Sequence, residues 1–365
     1  MKLFFISLVL LVPSIFVASA QSLYYDIDFD NFFQNREYNK IDFLSERSAT
    51  EFAARFSPSL ELHFKENHSF NLGADLIALF TAPDKVLFDY ADLVLYYGFD
   101  NEHWSASAGI FPRSRMAIDS YSHAFFTDDY LFFNNMVSGI MGQYRRSESF
   151  VEFVVDWESQ PTETTREVFR LLSAGRIQWE HFAVGYNFSL THFAGQEAEW
   201  MDQVVDNMLI NPAVEYRIQG AFDFRARVGY LQSLQRDRSY GNEWLTPYMG
   251  EFGLRLSRWG VVLDNTIYLG ENIEPLYDGQ VAPDGTIITY GNQLYRGDEC
   301  FRTEGGYYDR ASIGYERSFL KGMLEVGAHF ITHFVAEGIA SEQLVRLKLH
   351  LNKPFKKRKD KQCEP

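Results

Sequence analysis

Charged side chains recur at every second position in several segments, and their spacing suggests what the protein does. In the segment QLVRLKLHLNKPF, residues 343–355, the cationic side chains Arg346 and Lys348 alternate with Val345, Leu347 and Leu349. Successive side chains on a β-strand point to opposite faces, so this segment has one apolar face and one cationic face. Strands of this kind arranged in a ring would surround a hydrated passage whose wall charges select ions.

The charged residues are distributed unevenly over the predicted wall. The arginines come mainly from neighbouring predicted strands 8 to 12, and the acidic residues from strands 3 to 7. We predict a transverse electric field that separates cations from anions inside a pore. The alternative is a set of local salt bridges without a role in selectivity. The predicted pore-lining residues are Arg170, Arg176, Arg217, Arg225, Arg227, Arg255, Asp75, Asp92, Glu152, Asp156, Arg346 and Lys348.

Few residues have a spacing that suits catalysis or metal binding. His329 and His333 would lie about 13 Å apart on a strand, so they cannot chelate one metal ion by themselves. The sequence contains no HExxH motif and no Walker-type glycine loop. A pair such as Ser189 and His192 would suit a hydrolase at a barrel rim, which is a weaker alternative. We therefore predict no cofactor, no metal site and no enzymatic activity.

The elements that carry these residues are predicted to be long β-strands. The chain has 33 Phe and 21 Tyr, residue types that favour strands, and about sixteen candidate strands can be counted. Where the pattern is clear they are about nine to eleven residues long, the length that crosses a bilayer, whereas soluble strands average about 5–6. One face of these strands is apolar. The fold class is therefore all-β, a transmembrane antiparallel up-and-down β-barrel of about 16 strands.

Short and long connections alternate along the chain, as in barrels with tight periplasmic turns and extended external loops. The predicted long connections are 34–50, 81–89, 112–135, 159–167, 193–207, 232–246, 271–306 and 336–343. The longest, 271–306, either folds inward as a constriction or shields the surface. Cys300 lies in this loop, and Cys363 lies at the other end of the barrel, so no disulfide between them is expected.

The domain organisation is predicted to be simple. Residues 1–20 have the charged start, apolar run and small residues of a cleavable signal peptide. Residues 21–355 form the barrel, and residues 356–365 form a basic periplasmic tail. The formal net charge of −15 argues against nucleic acid as a partner.

The chain resembles Gram-negative outer-membrane β-barrels of the porin type. Four segments look like parts of an uncharacterised porin-like group: NFFQNREY (31–38), GIFPRSRM (109–116), NMLINPAVEY (207–216) and LYRGD (294–298). The resemblance implies location in the outer membrane, contact with lipid and lipopolysaccharide, and recognition of Phe355 by the barrel-assembly machinery. Assembly into a homo-oligomer is left open.

The function predicted from these observations is passive diffusion of small hydrophilic solutes through a charged lumen. One alternative is a barrel enzyme that acts on lipid or lipopolysaccharide. Another is a plugged barrel that serves surface glycan assembly.

Overall fold

The protein is a closed antiparallel β-barrel. The computed structural model describes residues 22–83, 86–163, 165–195, 204–239, 243–278, 280–281, 285 and 287–354. Sixteen strands pair in sequence order and the last pairs with the first, which confirms the predicted fold class. The predicted signal peptide, Phe355 and the basic tail with Cys363 lie outside the described residues.

The strands run from 9 to 17 residues, long enough to cross a bilayer at a tilt. In chain order the barrel strands are β1 (Ser22–Glu37), β2 (Ala49–His63), β3 (His68–Leu79), β4 (Tyr90–Asp100), β5 (Trp104–Pro112), β6 (Met136–Arg146), β7 (Ser149–Ser159), β8 (Val168–Trp179), β9 (Phe182–Phe193), β10 (Val205–Gln219), β11 (Asp223–Asp237), β12 (Tyr248–Arg258), β13 (Val261–Gly270), β14 (Tyr307–Phe319), β15 (Leu324–Val335) and β16 (Gly338–Pro354).

The helical elements are short and lie in the connections. They are α1 (Asp128–Phe133), α2 (Gly291–Leu294) and the 3-10 turns Asp42–Arg47, Arg113–Arg115, Ile118–Ser120, Glu299–Arg302 and Leu320–Gly322. Among the described residues, no helix is long and apolar enough to cross a membrane.

The outer surface of the barrel is largely apolar, as the alternation predicts. Phe182, Val184 and Tyr186 of β9 are each at least 40% exposed. Asp309 of β14 is an exception, because it shares the outward parity of Ile313. Its carboxylate accepts hydrogen bonds from the Asn265 side chain and, at 3.3 Å, from the Tyr307 hydroxyl. Hydrogen bonding lowers the cost of placing this carboxylate on the outer wall near the end of its strand.

The connections alternate in length as predicted, with one correction. Residues 336–343 are not a long loop: β15 and β16 are joined by a tight turn at Ala336 and Glu337. Polar residues at the start of β16 suggested a loop, but Glu342 points into the barrel, where Gln34 donates a hydrogen bond to it at 2.8 Å. The predicted connection 34–50 began too early: β1 extends to Glu37, and the Gln34 side chain is buried inside the barrel.

The interior of the barrel contains a packed apolar region as well as charged residues. Inward-facing residues of many strands form one cluster with residues of three long connections, 38–48, 113–135 and 271–306. Wall members include Val94, Val137, Val154, Leu172, Leu231 and Met249, and connection members include Phe125, Phe126, Cys300 and Phe301. The connection 113–135 and the described part of 271–306 therefore fold into the barrel. The external position expected for residues 112–135 was wrong, because their aromatic side chains bury apolar area inside the bore.

Candidate functional site

The 113–135 segment is attached to the wall through buried polar contacts. Arg113 donates to Asp156 of β7 at 2.6 Å, and both side chains are almost completely buried. Glu152, four residues before Asp156 on the same strand, accepts a hydrogen bond from the backbone N–H of Ala117 at 2.7 Å. These carboxylates therefore fix the segment at its N-terminal end.

The helix α1 within this segment lies against the first strands. Its N-cap is Thr127, whose side chain accepts the Tyr130 N–H at 3.2 Å. Phe132 stacks on Phe32 of β1 with ring centroids 4.6 Å apart. The Arg55 guanidinium lies 4.4 Å from the Phe132 ring centroid, so the helix is held by aromatic and cation–π packing.

The 271–306 segment packs on the 113–135 segment. The backbone N–H of Asp298 donates to the His123 carbonyl at 2.9 Å, and the N–H of Thr127 donates to the Arg296 carbonyl at 2.9 Å. The Arg296 side chain also donates to Glu158 of β7 at 2.6 Å. Of the two arrangements considered for this loop, the described residues adopt the inward one.

A cavity of about 200 Å³ lies between α1, the 271–306 segment and the barrel wall. We call it the outer cavity, because it lies at the end of the barrel that carries the long connections. Charged and polar side chains line it, among them His123, Arg36, Arg47, Asp128, Asp129, Asp298, Glu299, Arg310 and Glu342. Such a lining can hold a polar or anionic group and move protons.

His123 is the titratable base of this cavity. Burial lowers the pKa of its imidazole below the ordinary value of 6.5, and the nearby positive charge of Arg310 lowers it further. The carboxylates of Asp128 and Asp298 act in the opposite direction but are outweighed. His123 is therefore neutral at neutral pH, which is the form that accepts a proton from water or a hydroxyl group.

A second cavity, of about 250 Å³, lies on the other side of His123. We call it the arginine cavity, because Arg176, Arg225, Arg227 and Arg255 line it. His123 lines both cavities and so stands between them.

Each arginine of this wall has an acidic partner. Glu215 lies 2.8 Å from Arg176 and 3.5 Å from Arg225, so it is shared between them. Arg227 pairs with Glu251 at 2.9 Å. Arg255 contacts Asp264 at 3.4 Å and Glu316 at 2.7 Å, and Arg217, which lies outside this cavity, pairs with Asp223 at 2.6 Å.

The other predicted pore-lining residues lie elsewhere in the bore. Arg170 is buried beneath the 271–306 segment, paired with Glu158 at 2.6 Å. Asp75 contacts Arg55 at 3.7 Å and is adjacent in register to Asp92. Glu152 and Asp156 hold the 113–135 segment. Arg346 pairs with Asp30 at 2.8 Å. Lys348 lies opposite Asp30 and Glu325 on the two neighbouring strands.

The predicted transverse field remains untested, but the two sets of charge differ in environment. Asp156 and Glu152 are occupied by the inward segment, and the arginines of strands β8, β11 and β12 line a cavity. Local salt bridges, the alternative reading, are present throughout.

The structure does not bring together Ser189 and His192, the pair considered from the sequence as a hydrolase site. Ser189 and His192 differ by an odd number of positions on β9 and so point to opposite faces, which separates them. His192 stacks on Phe169 on the outside of the barrel. His333 is buried among carboxylates and tyrosines contributed by other elements. His123 was missed, since a single histidine in a long connection has no periodic pattern that marks it.

Solved structures with this fold are outer-membrane proteins. OpdL of Pseudomonas aeruginosa is 12% identical, with a TM-score of 0.52, over 92% of this chain and 99% of its own. OccK5 (OpdH) of the same organism is 10% identical, with a TM-score of 0.53, over 93% and 99%. A loop-deletion mutant of OmpT from Vibrio cholerae is 10% identical, with a TM-score of 0.52, over 90% and 99%. The predicted porin-type outer-membrane β-barrel is confirmed.

The sequence itself has a relationship of another kind. No curated protein matches it. A family model described as "Lipid A 3'-O-deacylase-type" matches residues 15–238. The name is that of an enzyme family, so the prediction that the chain is not an enzyme was wrong; the absence of a known sequence motif did not exclude a catalytic role. Because the match spans more than half of the 365 residues, this chain belongs to the lipid A 3'-O-deacylase-type family.

Proposed function

We propose that the protein is an outer-membrane hydrolase that removes an ester-linked acyl chain from lipid A, and that the outer cavity is its reaction site. The observation that carries the proposal is the family match over residues 15–238, which includes the whole 113–135 segment and therefore His123. The cavity lies at the end of the barrel that faces the outer leaflet, where lipid A is located.

The residues of the outer cavity suit ester hydrolysis. Neutral His123 takes a proton from a water molecule, and the water oxygen attacks the ester carbonyl carbon. The bond between the carbonyl carbon and the sugar oxygen then breaks, and His123 returns the proton to the departing sugar oxygen, which leaves a fatty acid and a free hydroxyl group. Arg310, whose positive charge is close to His123, is the candidate to stabilise the negative charge that develops on the carbonyl oxygen.

The packed interior also favours a hydrolase. An aqueous pore needs an open cross-section, but the apolar cluster joins wall residues of many strands to the two inward segments. Burying these side chains gives the cavity a fixed wall and holds His123 in position, as catalysis requires.

Mass spectrometry of lipid A tests the proposal. Membranes that contain the folded wild-type barrel should yield lipid A lighter by one ester-linked acyl chain, together with the released fatty acid. His123→Gln should reduce the rate by roughly 10²–10⁴-fold, the usual contribution of a general base. His103→Gln is the matched control, because His103 lies in a turn at the opposite end. Unchanged lipid A with correctly folded wild-type protein would refute the assignment.

A second candidate function is a channel for small anionic solutes, and the arginine cavity favours it. Solutes would pass from this cavity to the outer cavity alongside His123, which lines both. Glu215 is shared by Arg176 and Arg225, which leaves one positive charge over at this point, whereas Arg255 of the same cavity contacts two carboxylates. Rows of arginine of this kind select anions in pores.

A further inference from the structure

A group of metal-ligating side chains lies between the 271–306 segment and the barrel wall. It consists of Asp298 and Cys300 from the segment and His333 from β15, and one ligand atom from each lies within 4.8 Å of the others. Cys300 has no accessible surface, and His333 is 1% exposed. Asp298 and Cys300 are two residues apart at the start of a 3-10 turn, where the Asp298 side chain accepts a hydrogen bond from the Cys300 N–H at 3.0 Å.

We propose that Asp298, Cys300 and His333 bind a Zn²⁺ ion that clamps the 271–306 segment to the barrel wall. Thiolate, imidazole and carboxylate together form a ligand set that suits Zn²⁺, which is intermediate in softness. The ion forms bonds to the Cys300 sulfur, the His333 Nδ1 atom and an Asp298 oxygen. The Cys300 thiol releases its proton to solvent on binding, and no electron is transferred.

The distances are compatible with one tetrahedral site. Bond lengths to zinc of about 2.0–2.3 Å place neighbouring ligand atoms roughly 3.3–3.8 Å apart. Asp298 Oδ2 lies 3.4 Å from His333 Nδ1, which falls within that range and is long for a direct hydrogen bond. All three ligand atoms lie within 4.8 Å of one another, so some of these distances must shorten by about 1 Å when zinc binds. Rotation of the side chains can supply this change.

The other nitrogen of His333 faces a carboxylate. Its Nε2 atom lies 3.5 Å from a carboxylate oxygen of Glu342. A histidine that binds a metal commonly directs its second ring nitrogen to a carboxylate, which fixes the ring and its tautomer. The Tyr38 hydroxyl donates to the same carboxylate at 3.0 Å and keeps it in place.

The Tyr308 hydroxyl occupies the remaining side of the group. It donates to Asp298 Oδ2 at 2.6 Å and lies 2.9 Å from His333 Nδ1. It therefore marks the direction from which a fourth ligand, the tyrosine oxygen or a water molecule, completes the coordination.

The zinc clamp lies beside the outer cavity, because Asp298 and the Glu342 carboxylate that faces His333 both line that cavity. None of the three ligands takes part in the proposed proton transfer, although Asp298 also lines the reaction site. Its effect is to hold the 271–306 segment inside the barrel.

Metal content measures the clamp directly. The wild-type barrel, purified from membranes in detergent without a chelator and equilibrated with Zn²⁺, should retain one zinc ion per chain by mass spectrometry of the metal. Cys300→Ser and His333→Gln should each lose most of the zinc. Cys363→Ser is the matched control, because it removes the other cysteine of the chain, and it should retain zinc as the wild type does.

Cobalt substitution provides a second readout that does not depend on activity. Co²⁺ bound by the wild type and by Cys363→Ser should give a thiolate-to-metal absorption band in the near ultraviolet, and Cys300→Ser should lack it. Heat-modified electrophoretic migration verifies that each variant is a folded barrel. Wild-type protein without retained zinc and without the cobalt band would disprove the site, and so would zinc that persists in folded Cys300→Ser.

Discussion

Arg113 and Asp156 form an ion pair 2.6 Å long, with both side chains almost completely buried inside the barrel. Arg113 also donates to the Asn134 carbonyl at 2.6 Å, so one guanidinium joins both ends of the 113–135 segment and β7. The segment is therefore an integral part of the barrel interior, and the outer cavity depends on it.

Asp156→Asn should destabilise the folded barrel and release the inward segment. Removing one partner of a buried ion pair typically costs about 3–5 kcal/mol, because the other charge is left without compensation. Denaturant unfolding and limited proteolysis within residues 113–135 measure the effect. Asp223→Asn is the control, because its pair with Arg217 is more exposed and such pairs contribute only about 0–1 kcal/mol. Equal effects of the two substitutions would contradict the role of Arg113.

Gly297→Ala should prevent close packing of the two inward segments. A Cβ atom at Gly297 would collide with the backbone carbonyl of Ala124. Overpacking of this kind costs about 1–3 kcal/mol. Gly142→Ala is the matched control, because a Cβ atom there has no neighbour within 4 Å. Thermal unfolding of both variants checks the expectation, and a Gly297→Ala protein as stable as Gly142→Ala would rule out the tight contact.

The hydrolysis rate should depend on pH through His123. Burial and Arg310 hold the pKa of His123 below 6.5, so the active neutral form persists to mildly acidic pH. The rate should be level above pH 6.5 and should fall as the pH drops through the lowered pKa. Arg310→Gln removes the neighbouring positive charge and should move this fall to higher pH. An unchanged midpoint in the folded variant would argue against the coupling.

Glu337 should make the contact between the β15–β16 turn and the 271–306 segment dependent on pH. Burial raises the pKa of Glu337, but hydrogen bonds from Thr303 and the backbone N–H groups of Glu304 and Gly305 outweigh it and hold the pKa below 4.5. A carboxylate with a lowered pKa stabilises the fold above its ordinary value, and the contribution disappears as the pH falls through the folded pKa.

Amide hydrogen exchange at Glu304 and Gly305, corrected for its intrinsic pH dependence, measures this contact. Protection should be constant above pH 4.5 and should decrease at lower pH. Glu337→Gln should abolish that dependence, and a persistent pH effect in this variant would assign it to another group.

The arginine cavity makes a prediction for the second candidate function. If solutes pass through it, replacing Arg225 and Arg227 by glutamine should shift the ion selectivity of reconstituted protein towards cations. Planar-bilayer recordings with a salt gradient measure the shift in reversal potential. Lys321→Gln is a control at the opposite turn of β14 and β15, outside this cavity. Conductance with an unaltered reversal potential would exclude the cavity as a selective passage.

The wall of the barrel could be predicted from the sequence, but its interior could not. Alternation along β9 and β11 specifies an outward face because lipid excludes charge from it. No comparable rule marks Phe125 and Phe126, since aromatic residues in a long connection suit a surface loop as well as a buried segment. A sequence signal that could have revealed the packed interior is Val154, which is apolar on the same face as Glu152 and Asp156.

The candidate site was missed for a related reason. His123, Asp298 and Arg310 are far apart in sequence, and it is the inward folding of two connections that brings them together. The alternation pattern of single strands therefore predicts the charged wall, but it cannot predict a cavity that residues of separate segments form together.

The helix α1 contacts both edges of the barrel seam: Asp129 pairs with Arg36 of β1 at 2.8 Å, and Asp128 lies 3.9 Å from Arg346 of β16. The first and last strands are synthesised furthest apart in time, and their union completes the cylinder. A helix from the middle of the chain thus bridges the joint from within, so we expect docking of this helix to stabilise the closed cylinder. The seam is therefore held by contacts from inside the barrel as well as by the pairing of β1 with β16.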